Sequence, residues 1–280
     1  MIDGLLLLVA GAGAGLFGSL LGLGGGILIV PLLTLAFGLP LLTAVGISLI
    51  CVIVTSSAAA GVFLERRVAN LRLGMTLELF TACGAMAGGL VAFLLPERLL
   101  EGLFTALLVY VAITMARRRD AAQSKGANEP APAAADDATD PATDPARAFI
   151  DRLSGPGYRV RRLGFGVIGS LFAGVASALL GIGGGLIKVP VMHVVMGVPL
   201  RVATATSNLM IGITASASAI IYLLRGGIDP YAAAPTAIGV FIGASVGSRI
   251  ASRIDLRLLR GLFVAILLYT AWQMLQRAIA

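Results

Sequence analysis

Charge is scarce in this chain. Only 12% of its 280 residues are Asp, Glu, Lys or Arg, about half the share of an ordinary soluble domain. There is one histidine, one tryptophan and two cysteines. With one His, no paired acids and no His/Asp metal spacing, the chain has nothing from which to build a membrane enzyme's site, and no cofactor or metal is expected. Cys51 and Cys83 both fall inside apolar segments, so they are read as small buried hydrophobes rather than a disulfide or a metal pair. The opening "MIDG" has no basic residue ahead of its apolar run, which argues against a cleavable signal peptide.

What remains is apolar. Hydrophobic residues make up 58% of the chain and mean hydropathy is +0.96. The apolar runs exceed the roughly 20 residues that cross a bilayer. In lipid the backbone must bond to itself, so spans are helices or a closed barrel. Barrel strands alternate apolar and polar residues; runs such as "FTALLVYVAITM" do not. The fold class expected is an all-α polytopic membrane protein. Net charge is +7, but the basic residues sit at segment ends. That is a mark of membrane topology, so the bilayer is the expected partner and nucleic acid is not.

The chain is duplicated. "SLLGLGGGILIVP" at 19–31 returns as "ALLGIGGGLIKVP" at 178–190, and a slide of 159 residues aligns 14–115 with 173–274 without a gap, with about 36 of 102 positions identical. The first repeat occupies 1–116 and the second 161–280. Between them, 117–160 is rich in Ala, Pro and Asp, which predicts a disordered, solvated linker. The segments expected are 4–21, a glycine loop 22–26, 27–38, 41–64, 73–95 and 98–116, then 163–180, a loop 181–185, 186–197, 200–224, 231–252 and 256–277. Gly38–Pro40 and Gly197–Pro199 each supply a stop and a restart.

Two topologies fit the glycine segments. Each is either one kinked span or a re-entrant hairpin that leaves on the side it entered. As a single helix, 4–38 would be roughly 50 Å long, too long for a core of about 30 Å. In the kinked reading the linker side carries 14 Lys and Arg and the other side 6. In the re-entrant reading the linker side carries 17 and the far side only Arg98, Arg225 and Arg277. The positive-inside rule favours the second, with three spans and one broken helix per repeat. The basic clusters also trade connections between the halves: Arg66, Arg67 and Arg72 in one, Arg249, Arg253, Arg257 and Arg260 in the other. Equal folds of opposite orientation need that exchange. An inverted-topology repeat is expected, with linker 117–160 in the cytoplasm and both termini outside a cell (inner) membrane.

Two such glycine turns would meet near the midplane. Glycine lets the backbone come close to a ligand, and the helices starting at Ile27 and Leu186 offer free N–H groups and the positive end of a dipole. Lys188 adds a full charge in the second, where its twin is Ile29. Together these features suggest a transporter for a small anion. The duplicated "GxGGGxxxxP" resembles the TauE/SafE family of membrane permeases, often called sulfite exporters, over the whole chain except the linker. That resemblance implies export of sulfite or an organosulfonate such as sulfoacetate, coupled to an ion gradient. The residues themselves argue only for an anion.

The candidate substrate-binding residues are Gly24, Gly25, Gly26, Gly183, Gly184, Gly185, Lys188, Ser48, Ser207 and Asn208. Each has a plainer reading. Small residues at spacings of three and four, such as Gly11, Gly15, Gly18 and Gly22, pack helices. A lysine can snorkel to the interface, and membrane Ser and Thr usually bond their own backbone. "GLGGG" loosely resembles a dinucleotide fingerprint, but no acid follows near 20 positions on. Glu78, the one acid well inside a segment, and His193 are candidates for ion coupling. Glu78 could carry a proton or pair with a nearby Arg. A passive anion channel, an importer, and a permease for a small carboxylate or another metabolite stay open, and a homodimer is a candidate assembly.

Overall fold

The computed structural model describes residues 2–20, 26–65, 69–121, 153–154, 158–250 and 256–279. Ten α-helices order them: α1 Ile2–Leu20, α2 Gly26–Ala36, α3 Leu41–Glu65, α4 Leu71–Ala92, α5 Glu97–Ala121, α6 Leu163–Leu180, α7 Gly185–Pro190, α8 Leu200–Leu224, α9 Pro230–Ile250 and α10 Leu256–Ile279. A π-turn, Val191–Val195, extends α7. Shifted by 159, α3 falls on α8 residue for residue, and α2 falls on α7 plus its π-turn. The duplication is thus one of architecture as well as of sequence.

Five of the described helices are long and apolar enough to cross a membrane: Leu71–Ala92, Glu97–Met115, Leu163–Leu180, Leu200–Leu224 and Pro230–Gly247. The protein is a multi-pass helical membrane protein. By contrast α2 has 11 residues, roughly 16 Å of helix, and so does α7 with its π-turn. Pro190, which has no N–H to give, sits at the junction where the ladder of α7 widens into the π-turn.

Helix boundaries follow local chemistry. Gly38 and Gly197 take positive φ (66° and 72°) just past the short helices, a conformation glycine enters without penalty. Asn70 caps α4 by accepting from the Leu73 amide, and its own amide group donates to Leu153 O and Tyr158 Oη. Pro230 opens α9, where a missing N–H costs nothing.

The halves interlock by exchanging helices. α1 packs most extensively on α9 and α4 on α6, while the twins α5 and α10 pair with each other, as do α3 and α8. Glycine permits the closest approaches: a side chain at Gly11 would strike Thr236 and one at Gly15 would strike Val240, while one at Gly84 would strike Leu171 and one at Gly88 would strike Val175. Those pairings rise together in number, so α1 runs parallel to α9 and α4 to α6. Gly74 lies against Thr206 and Met210, and Gly89 against Ile221, so α4 also runs parallel to α8. Gly46 meets Tyr222 and Gly227, whereas Ser56 meets Gly212; α3 and α8 therefore cross antiparallel. Gly185 lies against Ile211 and Ser207 while only 196–199 separate the π-turn from the start of α8, which sets α7 antiparallel to α8. The chain thus reverses between α6 and α7, at residues 181–184.

Two linker edges differ from the 117–160 expectation. α5 continues to Ala121, and at the other end Leu153 and Val160 are buried with Leu73, Leu77, Met192 and Met196. Large apolar side chains anchor that end, a local signal that the overall composition of the segment diluted. Residues 122–152 of the linker lie outside the described residues.

Candidate functional site

The second glycine turn is built from left-handed backbone: Gly181, Gly183 and Gly184 have φ of 67°, 74° and 73°, which a side chain resists by about 1–2 kcal/mol per residue. It meets the first half directly. A side chain on Gly26 would come within 2.8 Å of Gly181 O. Ser48 Oγ, fully buried on α3, lies 2.7 Å from Gly181 O and 3.2 Å from Gly26 O. The start of α2 and the turn after α6 are therefore in contact, with one hydroxyl serving both. Gly24 and Gly25 lie outside the described residues.

Lys188 does not reach for solvent. It is 1% exposed, and its Nζ lies 3.0 Å from Glu78 Oε2 and 2.5 Å from Thr214 Oγ1. Thr214 in turn donates to Glu78 Oε1 at 2.6 Å. Three helices thus contribute to one closed ring: α4 the carboxylate, α7 the ammonium and α8 the hydroxyl. The side chain of a helical residue points back toward the helix N-terminus. That is how Lys188 reaches Thr214, two turns beyond Ser207 along the antiparallel α8. The partner of Glu78 is a lysine and not an arginine.

Among the described residues, two buried hydroxyls have no hydrogen-bond partner: Ser177 Oγ and Ser207 Oγ. Both flank the turn. A side chain at Gly184 would come within 3.4 Å of Ser177 Cβ, and one at Gly185 within 3.5 Å of Ser207 Oγ. An unsatisfied buried hydroxyl costs about 1–3 kcal/mol, so the fold holds two donors there at a loss. Asn208, beside Ser207, is half-buried. Ser177 was missed at sequence level, because a serine in the last turn of a membrane helix looks like a packing residue. His193 lies apart on the π-turn, exposed, with Nδ1 2.9 Å from Val198 O. Most of the other hydroxyls have the plain role. Thr55, Ser57, Thr204 and Ser216 each bond a carbonyl four residues back in their own helix.

The polarity is one-sided. The twins of Ser177, Lys188, Asn208 and Glu78 are Gly18, Ile29, Leu49 and Ala237, and Ile29, Leu49 and Ala237 are buried apolar residues. The duplicated serine pair divides as well: Ser48 is bonded and Ser207 is not. Lys188, Asn208 and Glu78 are thus polar where the duplicate is apolar.

A helical bundle of two interlocked repeats, with the start of one short helix against the turn that leads into the other and buried polar residues beside them, has the form of a membrane transporter. The sulfite exporter TauE/SafE family profile matches residues 7–274, and the chain belongs to that family. It is 24% identical over 245 residues to "Probable membrane transporter protein YunE" of Bacillus subtilis (strain 168), covering 85% of each chain. It is 27% identical over 226 residues to "Probable membrane transporter protein MJ0441" of Methanocaldococcus jannaschii, covering 78% of this chain and 72% of that one. No solved structure matches.

Proposed function

We propose that this protein is a secondary transporter that exports a small sulfur-containing anion, sulfite or an organosulfonate such as sulfoacetate, across the cytoplasmic membrane. The observation that carries the reading is the pair of buried, unpartnered hydroxyls of Ser177 and Ser207 on either side of the left-handed turn at 183–184. Each is a donor without an acceptor, and an oxyanion presents several acceptors at once. Gly183, Gly184 and Gly185 let the turn pack closely between the two hydroxyls, Asn208 adds an amide, and Lys188 supplies a cation one turn on. The site belongs to the second repeat's turn, and Gly26 and Ser48 of the first repeat close it from the other side.

The antiparallel crossing of the twins α3 and α8 supports an inverted-topology repeat, and the reversal between α6 and α7 supports a re-entrant second glycine hairpin. Alternating access then comes from one repeat rocking against the other around the turns. The linker lies in the cytoplasm and the termini outside, as the arginine distribution favours.

Calorimetric titration of the purified protein with sulfite, sulfoacetate, taurine, sulfate and chloride tests the reading. One sulfur anion binds saturably, and Ser207→Ala and Lys188→Met weaken it tenfold or more. If no anion binds, or both variants bind as the parent does, the reading fails.

A further inference from the structure

Lys188 poses a problem for anion binding, because its charge is already taken. The ammonium and the Glu78 carboxylate are 3.0 Å apart, both buried, with the Thr214 hydroxyl closing the ring. An anion that needs Lys188 has to displace Glu78, and a displaced carboxylate in a membrane interior is costly while it stays charged.

The molecule contains its own control for the alternative that the pair merely holds the fold together. The twin of Lys188 in the first half is Ile29 and the twin of Glu78 in the second is Ala237, both buried and apolar. The same architecture therefore packs at that place without charge. Buried ion pairs are weak stabilisers, and apolar replacements are often as stable or more so. The pair joins the two halves at one of two equivalent places only, with Lys188 one turn past the glycine turn that the unpartnered hydroxyls flank.

We infer that Glu78 is the proton-binding site of transport, and that proton and anion are coupled because Glu78 and the anion compete for the one ammonium of Lys188. This rests on the anion-transport reading above. With the site empty, Lys188 is paired with ionised Glu78. With the site loaded, Glu78 carries a proton and Lys188 faces the anion. For a monoanion both states are neutral within the membrane. The two mixed states are not: a protonated Glu78 without anion leaves the ammonium alone, and an anion beside ionised Glu78 puts two negative charges on one cation. Both are disfavoured by burial. The result is one proton moved with each monoanion, in the same direction, without net charge. Export then proceeds when the outward anion gradient exceeds the opposing proton gradient.

The other described titratable groups on the elements packed against α4 are exposed or already hydrogen-bonded, Tyr158 accepting from Asn70. α4 packs against α6 and α8. α6 carries no ionisable side chain. On α8, Arg201 and the capping Arg225 lie exposed at the two ends, and the Tyr222 hydroxyl donates to Ala178 O. On α4 itself Arg72 and Cys83 are exposed, and His193 beyond α7 is exposed and bonded to Val198 O.

The test uses methanesulfonate, whose charge does not change between about pH 5 and 9, because sulfite itself titrates near neutrality. Titrated into the full-length protein, methanesulfonate binds about tenfold more weakly per pH unit once Glu78 is ionised in the free protein, since each binding event then takes up one proton. In liposomes with a lumenal pH dye, a methanesulfonate gradient moves protons in step with the anion. Glu78→Gln, a permanent mimic of the protonated acid, binds independently of pH and exchanges methanesulfonate for methanesulfonate but moves no protons. Anion flux without proton flux in the parent overturns the inference and leaves the transport reading intact. So does a Glu78→Gln protein that keeps the parent's pH slope. If Glu78→Gln does not fold, the proton-to-anion ratio of the parent decides alone. Absence of binding and flux at every pH overturns both.

Discussion

If the Glu78–Lys188 pair serves function rather than the fold, removing one partner and removing both should have opposite consequences. Lys188→Met strands a carboxylate that is 5% exposed, with only the Thr214 hydroxyl for company. Glu78→Met strands an ammonium on the same hydroxyl. Breaking a buried pair from one side costs about 3–5 kcal/mol. For a chain of this size that is a fall in melting temperature of roughly 6–20 °C. The double variant Glu78→Met/Lys188→Met strands nothing. Thr214 keeps an acceptor in Met210 O at 3.1 Å, two methionines fill much of the space, and Ile29 with Ala237 show that an apolar arrangement packs in the twin position. Its stability should lie within about 2 kcal/mol of the parent, although independent effects would sum to about 6–10 kcal/mol.

The assay is thermal unfolding of the four proteins in one detergent, with methanesulfonate uptake into liposomes as the parallel readout. Uptake coupled to protons is lost in all three variants, including the stable one. A double variant as unstable as the sum of the singles would refute the reasoning, because the pair would then be a structural cross-link. A double variant that still couples protons to anions would refute it from the other side.

Two further outcomes follow from the glycine turns. Ser48→Ala removes the hydroxyl that bonds Gly181 O and should cost about 1–3 kcal/mol. The twin change Ser207→Ala removes a hydroxyl that bonds nothing and should be neutral or slightly stabilising while weakening anion affinity; thermal unfolding and calorimetry on the pair check both signs. Gly184→Ala forces a side chain into a left-handed residue, 3.0 Å from Ala173 O, and should cost at least about 1–2 kcal/mol, read as a lower melting temperature and lost anion binding.

The scaffold was legible in the residues because local chemistry sets it. Proline and glycine fix where the short helices stop, so the expected segment 200–224 coincides with α8, and 41–64 differs from α3 by one residue. The slide of 159 residues located the repeats for the same reason. Two features of the site were not legible. The partners Glu78 and Lys188 are 110 residues apart in different halves, and no periodicity links them. A signal did exist: they are the acid and the base set deepest in apolar segments, and in lipid such charges seek each other. The idle hydroxyls of Ser177 and Ser207 carried no signal, since whether a serine is bonded depends on what the fold brings beside it.

The duplication supplies the scaffold twice and the chemistry once. Rocking of two repeats needs two arrangements of similar energy, and hence few strong bonds across the seam. The central contact fits that need. Where the start of α2 meets the turn after α6, Ser48 Oγ is a polar link, shared between Gly26 O and Gly181 O. The hydroxyl has one hydrogen and two acceptors, so it can pass from one carbonyl to the other as the turns slide. The net worth of such a bond is about 0.5–1.5 kcal/mol, small beside the cost of exposing an unpaired charge at Lys188. On the proposed mechanism, the seam between the turns is weak enough to move and the charge pair sets when it moves.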